Sequence, residues 1–227
     1  MHIKEIYTVQ SIDRSLTIEW LVYKHYAKRV PPIEYAFGLF NKDKVLVGVI
    51  TYATPVSGNL RQAFGTEFKL MELNRLCVNE GLPKNALSYF VSQSLKLLPT
   101  PLIIVSYADT SQGHHGYIYQ ATNFIYTGLS AKRTDWQIKG MEHLHGATIS
   151  DMSRGQANRA EYMRQKFGDN FYLKDRPRKH RYFTFIGNKS ERKKMQFLLP
   201  YPITPYPKGD NERYDSAYSP SIQGQLF

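Results

Sequence analysis

Asp109 closes the run LIIVSYAD (102–109), which reads as a strand buried on both faces. Ligands of open α/β sheets gather at the C-terminal ends of such strands. A carboxylate there can accept from an incoming nucleophile, or it can simply cap the following segment. Ser106 and Tyr107 share this strand end, and Ser106 could equally bond a neighbouring backbone group. His114, His115, Tyr117 and Tyr119 follow closely, and helical spacing does not say which tyrosine faces a pocket. His25 and Tyr26 end a helix-like stretch directly before Lys28-Arg29. An imidazole beside a phenol offers a general base or metal ligands; positive charge at a helix C-terminus is the plainer explanation. Glu72, Asn74 and Arg75 lie on a second buried strand, as site lining or as a structural ion pair. His25, Tyr26, Asp109, His114 and His115 are the available metal ligands, although no spacing identifies a metal motif. Cys77 sits in a strand with no histidine nearby in its motif and reads as a small hydrophobe. His143 and His145 lack a partner at metal spacing and read as solvent-facing.

These residues need a scaffold, and the stretch Leu70–Leu98 organises it. KLMELNRLCV carries apolar residues on both parities, as a central strand does. Asn79, Glu80, Gly81 and Pro83 break it. Leu87, Phe90, Val91, Ser94, Leu95 and Leu98 then form one helical stripe, started at Pro83 or Asn85 and stopped by Pro99 and Pro101. The run 102–109 fits a parallel neighbour reached by this crossover helix. Upstream, residues 3–9 alternate like a strand. Ser11 or Asp13 caps a helix through LTIEWLVYKHY, and two alternating runs joined at Asn41–Lys44 signal a hairpin. Residues 55–65 read as a loop. Downstream, IYTGLSAKRTDWQI reads as one strand-like segment, residues 141–172 as a polar insertion with helical pieces at 149–154 and 159–167, and RKHRYFTFIG as the closing strand. The expectation is one α/β catalytic domain over 1–188, with a mixed, mostly antiparallel central sheet flanked by helices, and a basic, Pro- and Tyr-rich extended arm over 189–227.

The formal net charge is +11, and 17 of the 227 residues are tyrosine. A basic, Tyr-rich chain suits nucleic acid better than a membrane surface. No apolar run approaches the length of a membrane span. A single cysteine forms no internal disulfide.

The element order resembles acyltransferases of the GNAT superfamily, and RLCVNEGLPKNALS resembles their acyl-CoA turn, with Pro83, Asn85 and Ala86 where glycines are usual. That likeness implies a cofactor site at Leu76, Cys77, Val78, Lys84, Asn85, Ala86, Leu87 and Ser88, and a tyrosine, 117 or 119, that protonates a departing thiolate. More of the chain resembles the Mom family of phage DNA-modification proteins: KHYAKR (24–29), YAFGLF (35–40), ELNRLCVNEGLPKN (72–85), LIIVSYADTSQGHHGYIYQATNFIYTG (102–128), LSAKRTDW and PRKHRYFTF. The resemblance covers about residues 20–186. It implies a GNAT-like fold and conversion of adenine's exocyclic amine in DNA to a carbamoylmethyl (methylcarbamoyl) derivative that resists host restriction, in the cytoplasm of the bacterial host. Under that reading Asp109, His25, Tyr26, Ser106, Tyr117, Tyr119, Asn74 and Arg75 form the catalytic set. The donor is acetyl-CoA or a glycine-derived aminoacyl donor such as glycyl-tRNA. An iron-assisted variant would use His25, Tyr26 and Asp109. Double-stranded DNA, its adenine flipped out, would meet Lys28, Arg29, Lys132, Arg133, Arg176, Arg178, Lys179 and Arg181, with Arg192, Lys193 and Lys194 in the tail. The arm could bind DNA or a second subunit of a homodimer. The competing class is a non-catalytic nucleic-acid-binding protein on a decayed acyltransferase fold.

Overall fold

The computed structural model describes residues 2–144, 146–209 and 220, in two compact units, Met1–Gly128 with His180–Phe227, and Leu129–Lys179. The larger unit begins with α1 (Ile3–Ile6), β1 (Thr8–Ser11), a 3-10 turn (Arg14–Thr17) and a π turn (Trp20–Lys24). It continues through β2 (Tyr35–Phe40), β3 (Leu46–Ala53), α2 (Gly58–Ala63), β4 (Lys69–Val78), α3 (Ala86–Leu97), β5 (Leu102–Asp109), α4 (Tyr117–Ala121) and β6 (Ile125–Leu129). The smaller unit holds β7 (Arg133–Ile138), α5 (Gly146–Asp151), α6 (Arg159–Phe167) and β8 (Phe171–Arg176). The chain returns as β9 (Lys179–Ile186) and α7 (Lys189–Phe197).

Seven strands form one sheet in the order β1-β2-β3-β4-β5-β9-β6. β1 to β4 are antiparallel neighbours, and β4 and β5 run parallel. This is the mixed, mostly antiparallel sheet flanked by helices that the pattern leads one to expect. Both faces are covered, which is why β4 and β5 read apolar on both parities. Met71, Leu73, Leu102 and Ile104 pack against Phe90, Val91 and Leu95 of α3. Leu70, Ile103, Val105, Phe183 and Phe185 pack on the other face against Phe64 and Met195.

The structure departs from the sequence pattern in five places. The first residues form a helical turn before a shorter strand. The long helix after Asp13 splits into the 3-10 turn, which Asp13 caps by accepting from Ser15 N at 2.8 Å, and the π turn. Ser57 caps α2 inside the expected loop, accepting from Leu60 N. IYTGLSAKRTDWQI is two strands in two different sheets, so the smaller unit starts before residue 141. β7 pairs with β8 from Arg133↔Arg176 to Ile138↔Phe171, over a core of Ile138, Ile149 and Met163. Finally, Lys189–Phe197 is a helix and not the start of an arm. Asn188 and Glu191 form a reciprocal capping box, Asn188 accepting from Glu191 N at 3.0 Å and Glu191 from Asn188 N at 2.7 Å.

Phe90→Ala removes a fully buried ring at the α3–β4 contact and should lower the unfolding free energy by about 3–5 kcal/mol. Phe197→Ala, at a side chain 91% exposed, should change it by less than about 0.5 kcal/mol; urea denaturation measures both.

Candidate active site

The β4–β5 ladder runs from Lys69↔Leu102 to Leu73↔Ser106, where Ser106 Oγ donates to Leu73 O at 2.9 Å. Both strands continue past that point. On the other side of β4, Thr51 pairs with Arg75 and Tyr52 with Leu73, so Asn74 is an extra residue, a β-bulge. A bulge re-aims the side chains beyond it. Met71 and Leu73 face the α3 cluster before it, Leu76 and Val78 after it. Asn74 is locked at both ends of its amide: Oδ1 accepts from Thr51 Oγ1 at 2.6 Å and Nδ2 donates to Pro32 O at 2.9 Å. Arg75 donates to Asn74 O at 2.7 Å and to Arg29 O at 3.5 Å. β4 thereby ties down the loop that follows Tyr26.

His25 N donates to Trp20 O at 2.9 Å, a five-residue π step, which places the His25-Tyr26 pair just past the turn. Such steps recur at functional sites. The His25 ring stacks on Tyr26 with centroids 4.4 Å apart, and its Nδ1 accepts from Ala27 N at 3.1 Å. Tyr26 meets the His114 ring edge-on at 5.9 Å. Burial pushes the Tyr26 phenol up to about 12; the Asp109 carboxylate adds to this and Arg75 opposes it. Tyr26 therefore stays protonated and can donate. Asp109 is 8% exposed, and its Oδ1 accepts from Ser111 N at 3.1 Å and Ser111 Oγ at 2.7 Å. The capping role is real, and it fixes a carboxylate within electrostatic reach of Tyr26 and His114. Burial holds His114 below the usual imidazole range, Asp109 opposes this and His115 adds to it.

The two tyrosines differ in burial. Tyr119 is buried, and its phenol is pushed up to about 12 mainly by burial; Ser106 opposes this, and the neighbouring Tyr26 and Glu72 add to it. Tyr117 is exposed and donates to Gly209 O instead. Glu72 also acts on Arg75, but burial dominates and lowers that guanidinium's pKa.

Two residues that the sequence reading passed over hold the histidine loop. Tyr182 Oη donates to His115 O, and Gln120 Nε2 donates to Tyr182 Oη at 3.2 Å. Gly116 has φ +79, and a Cβ there would lie 2.5 Å from the Tyr182 ring. The alternation of β9 was the available signal for an inward Tyr182; its partner 67 residues away in the chain was not.

The cofactor segment divides. Asn85 stands at the N-cap of α3 without a side-chain cap bond, and Ala86 N donates to Pro83 O at 2.9 Å. Asn85 and Ser88 line an open groove of about 400 Å³ between α3 and the end of α4. Lys84 is exposed on the turn, Leu87 is half-buried and Ala86 is buried. Leu76 and Val78 belong to the α3 core, and Cys77 packs with Trp20. Those three are structural and do not line the groove. The polar groove and the helix terminus fit a phosphate-bearing donor. A metal fits less well. Among the described residues no three His, Cys, Asp or Glu side chains come together to hold one, and the Nδ1 of His25 is taken by Ala27.

The expected nucleic-acid contacts also divide. Lys28 and Arg29 are exposed in the loop after Tyr26. Arg181 is a brace: it donates to Thr127 Oγ1 at 2.9 Å and Thr127 O at 3.0 Å, and stacks 3.4 Å over Tyr201. In the smaller unit Arg178 donates to Ser130 O at 2.6 Å, and Lys179 N donates to Ser130 Oγ at 2.9 Å. Arg176 lies 3.8 Å from Asp135. Lys132 and Arg133 are exposed, as is His143; His145 lies outside the described residues.

The His114 imidazole should titrate below 6.5 by NMR, and Asp109→Asn, which removes the opposing negative charge, should lower it further. Because the unfolded chain then binds the proton more readily, His114 stabilises the fold above about pH 6.5, and that contribution is lost as pH falls through its folded value.

A family comparison matches residues 6–208 to the Mom protein family. The methylcarbamoylase Mom of Escherichia phage Mu is 32% identical over 215 residues, covering 88% of this chain and 83% of that protein. Among solved structures, spermidine/spermine N-acetyltransferase from Vibrio cholerae aligns with a TM-score of 0.42 at 10% identity, over 81% of this chain and 95% of that one. A GNAT-family acetyltransferase from Bacillus cereus aligns with a TM-score of 0.40 at 14% identity, over 81% and 99%. The match to the family and to the phage Mu protein runs through both units, and the chain belongs to the Mom protein family.

Proposed function

We propose that this chain is a transferase that joins a carbamoylmethyl group to the exocyclic amine of adenine in phage DNA. The observation that carries the reading is the cluster of half-buried Tyr26 and His114 with buried Asp109 beside the end of the β4–β5 ladder, in a chain related to a methylcarbamoylase. Adenine's amine is a poor nucleophile because its lone pair is delocalised into the ring. Asp109, held by Ser111, accepts one amine hydrogen and orients the nitrogen. His114, kept neutral by burial, takes the second proton as the new N–C bond forms. Tyr26 and His25 supply an aromatic wall for a flipped-out base, and Tyr26 is a protonated donor beside it. Tyr119, also protonated, is the tyrosine we assign to donate toward the departing group. Lys28 and Arg29, exposed just after Tyr26, would contact the target strand's phosphates in double-stranded DNA.

The donor supplies the two-carbon amide unit, and Asn85, Ser88 and the α3 terminus would hold its carrier. The group is attached through carbon and carries an amide nitrogen, which simple acyl transfer does not produce. A glycine-derived donor such as glycyl-tRNA balances the reaction. The adenine nitrogen bonds the glycyl methylene carbon, and the bond from that carbon to the glycyl nitrogen breaks. That nitrogen becomes the amide on the carboxyl carbon, and the tRNA hydroxyl leaves. Acetyl-CoA, the alternative, would need a nitrogen source and a two-electron oxidant besides. No helix among the described residues is long and apolar enough to cross a membrane, and the reading sets the reaction in the cytoplasm of the bacterial host.

Mass spectrometry of nucleosides from cells expressing the chain should find a deoxyadenosine adduct heavier by one carbamoylmethyl group. Asp109→Ala should abolish it while duplex DNA binding persists, and His114→Gln should slow it by about 10²–10⁴-fold. With wild-type protein the rate should rise with pH through the depressed His114 value. An unmodified digest from folded protein would give first place to a non-catalytic nucleic-acid-binding role.

A further inference from the structure

The α3–α4 groove does not end at α4. Asn123 lines it and also lines a second open groove of about 300 Å³, bounded by Thr184 of β9 and by Lys189, Arg192, Lys193 and Gln196 of α7. Those four α7 positions are spaced i, i+3, i+4 and i+7, so they form a single stripe. The opposite face carries the fully buried Met195. No ion pair engages Lys189, Arg192 or Lys193 among the described residues. The acidic residue of this helix, Glu191, is committed to the Asn188 capping box. The stripe is thus three unneutralised cations on the wall of a groove whose floor is partly polar.

We infer that the two grooves form one trough that seats an RNA carrying the donor group, with Lys189, Arg192 and Lys193 on its phosphates. The inference rests on the glycine-derived-donor reading above and names the class of its carrier. Three points favour RNA over the other polyanions present. The trough leads to Asn85 at the N-terminus of α3, the donor side, whereas the cations beside Tyr26 belong to a separate loop. The twelve residues of α3 alone span about 18 Å, and the α7 stripe adds about 10 Å, a length suited to an extended polyanion. A coenzyme thioester has one diphosphate and one further phosphate, and the turn at Asn85 and Lys84 would meet that diphosphate without help from α7.

The test measures binding of the full chain to unacylated mixed-sequence tRNA and to a mixed-sequence DNA duplex, by fluorescence anisotropy across a salt series. The triple variant Lys189→Gln, Arg192→Gln, Lys193→Gln should bind tRNA about tenfold or more weakly, with the slope of log affinity against log salt reduced by about 2. Its duplex DNA affinity should stay within about twofold, and a matching thermal melt should show that the fold is intact. Lys28→Gln with Arg29→Gln should give the reverse pattern. Equal loss of tRNA and DNA binding in the triple variant, or unchanged tRNA affinity, overturns the inference. Loss of the deoxyadenosine adduct assay's signal in the wild type would instead sink the proposed reaction, since the binding measurement does not depend on it.

Discussion

Two parallel strands that stop pairing while both continue create the demand that shapes the larger unit. Beyond Leu73 and Ser106 the facing backbone groups of β4 and β5 need other partners, because buried N–H and C=O groups are rarely left unmet. The chain answers with polar side chains. Ser106 closes the last rung, the Asn74 bulge turns an amide outward to Thr51 and Pro32, and Arg75 reaches two carbonyls. A polar recess inside an apolar sheet follows from this need, and the titratable groups collect there.

Burial then couples those groups. Two phenols are held protonated and an imidazole is held neutral mainly by loss of water, with the Asp109 charge as a shared neighbour. In such surroundings a charge acts over longer distances than at the surface. Asp109 can therefore be a helix cap and a site carboxylate at once: the Ser111 bonds that make it a cap also hold its oxygen still. The structural role is observed, and it is compatible with the chemical one.

Much of the sheet was legible because burial on both faces and hairpin alternation are local signals, as in LIIVSYAD and YAFGLF. The α3 crossover was legible for the same reason, through its stripe and its prolines. What the sequence hid was set by single residues or by distant partners. The π step at Trp20–His25 leaves no periodicity to read. The Asn74 bulge shifts parity by one residue inside a strand that is apolar on both sides anyway. The α7 capping box was present as Asn188 and Glu191 but was masked by the run of like charges around it. Arg181 looked like one more cation in a basic stretch, and only the neighbouring strand shows that it braces Thr127. Tyr182 mattered through a loop far away in the chain.

The strands that flank the smaller unit, β6 and β9, are neighbours in the large sheet, and their ends meet through Ser130 N to Lys179 O at 2.8 Å. The chain leaves the sheet and re-enters it at almost the same place. Residues 129–179 are therefore a cassette between two adjacent strands: such a segment can lengthen, shorten or be exchanged without rewiring the sheet. A designer can cut there with the same freedom.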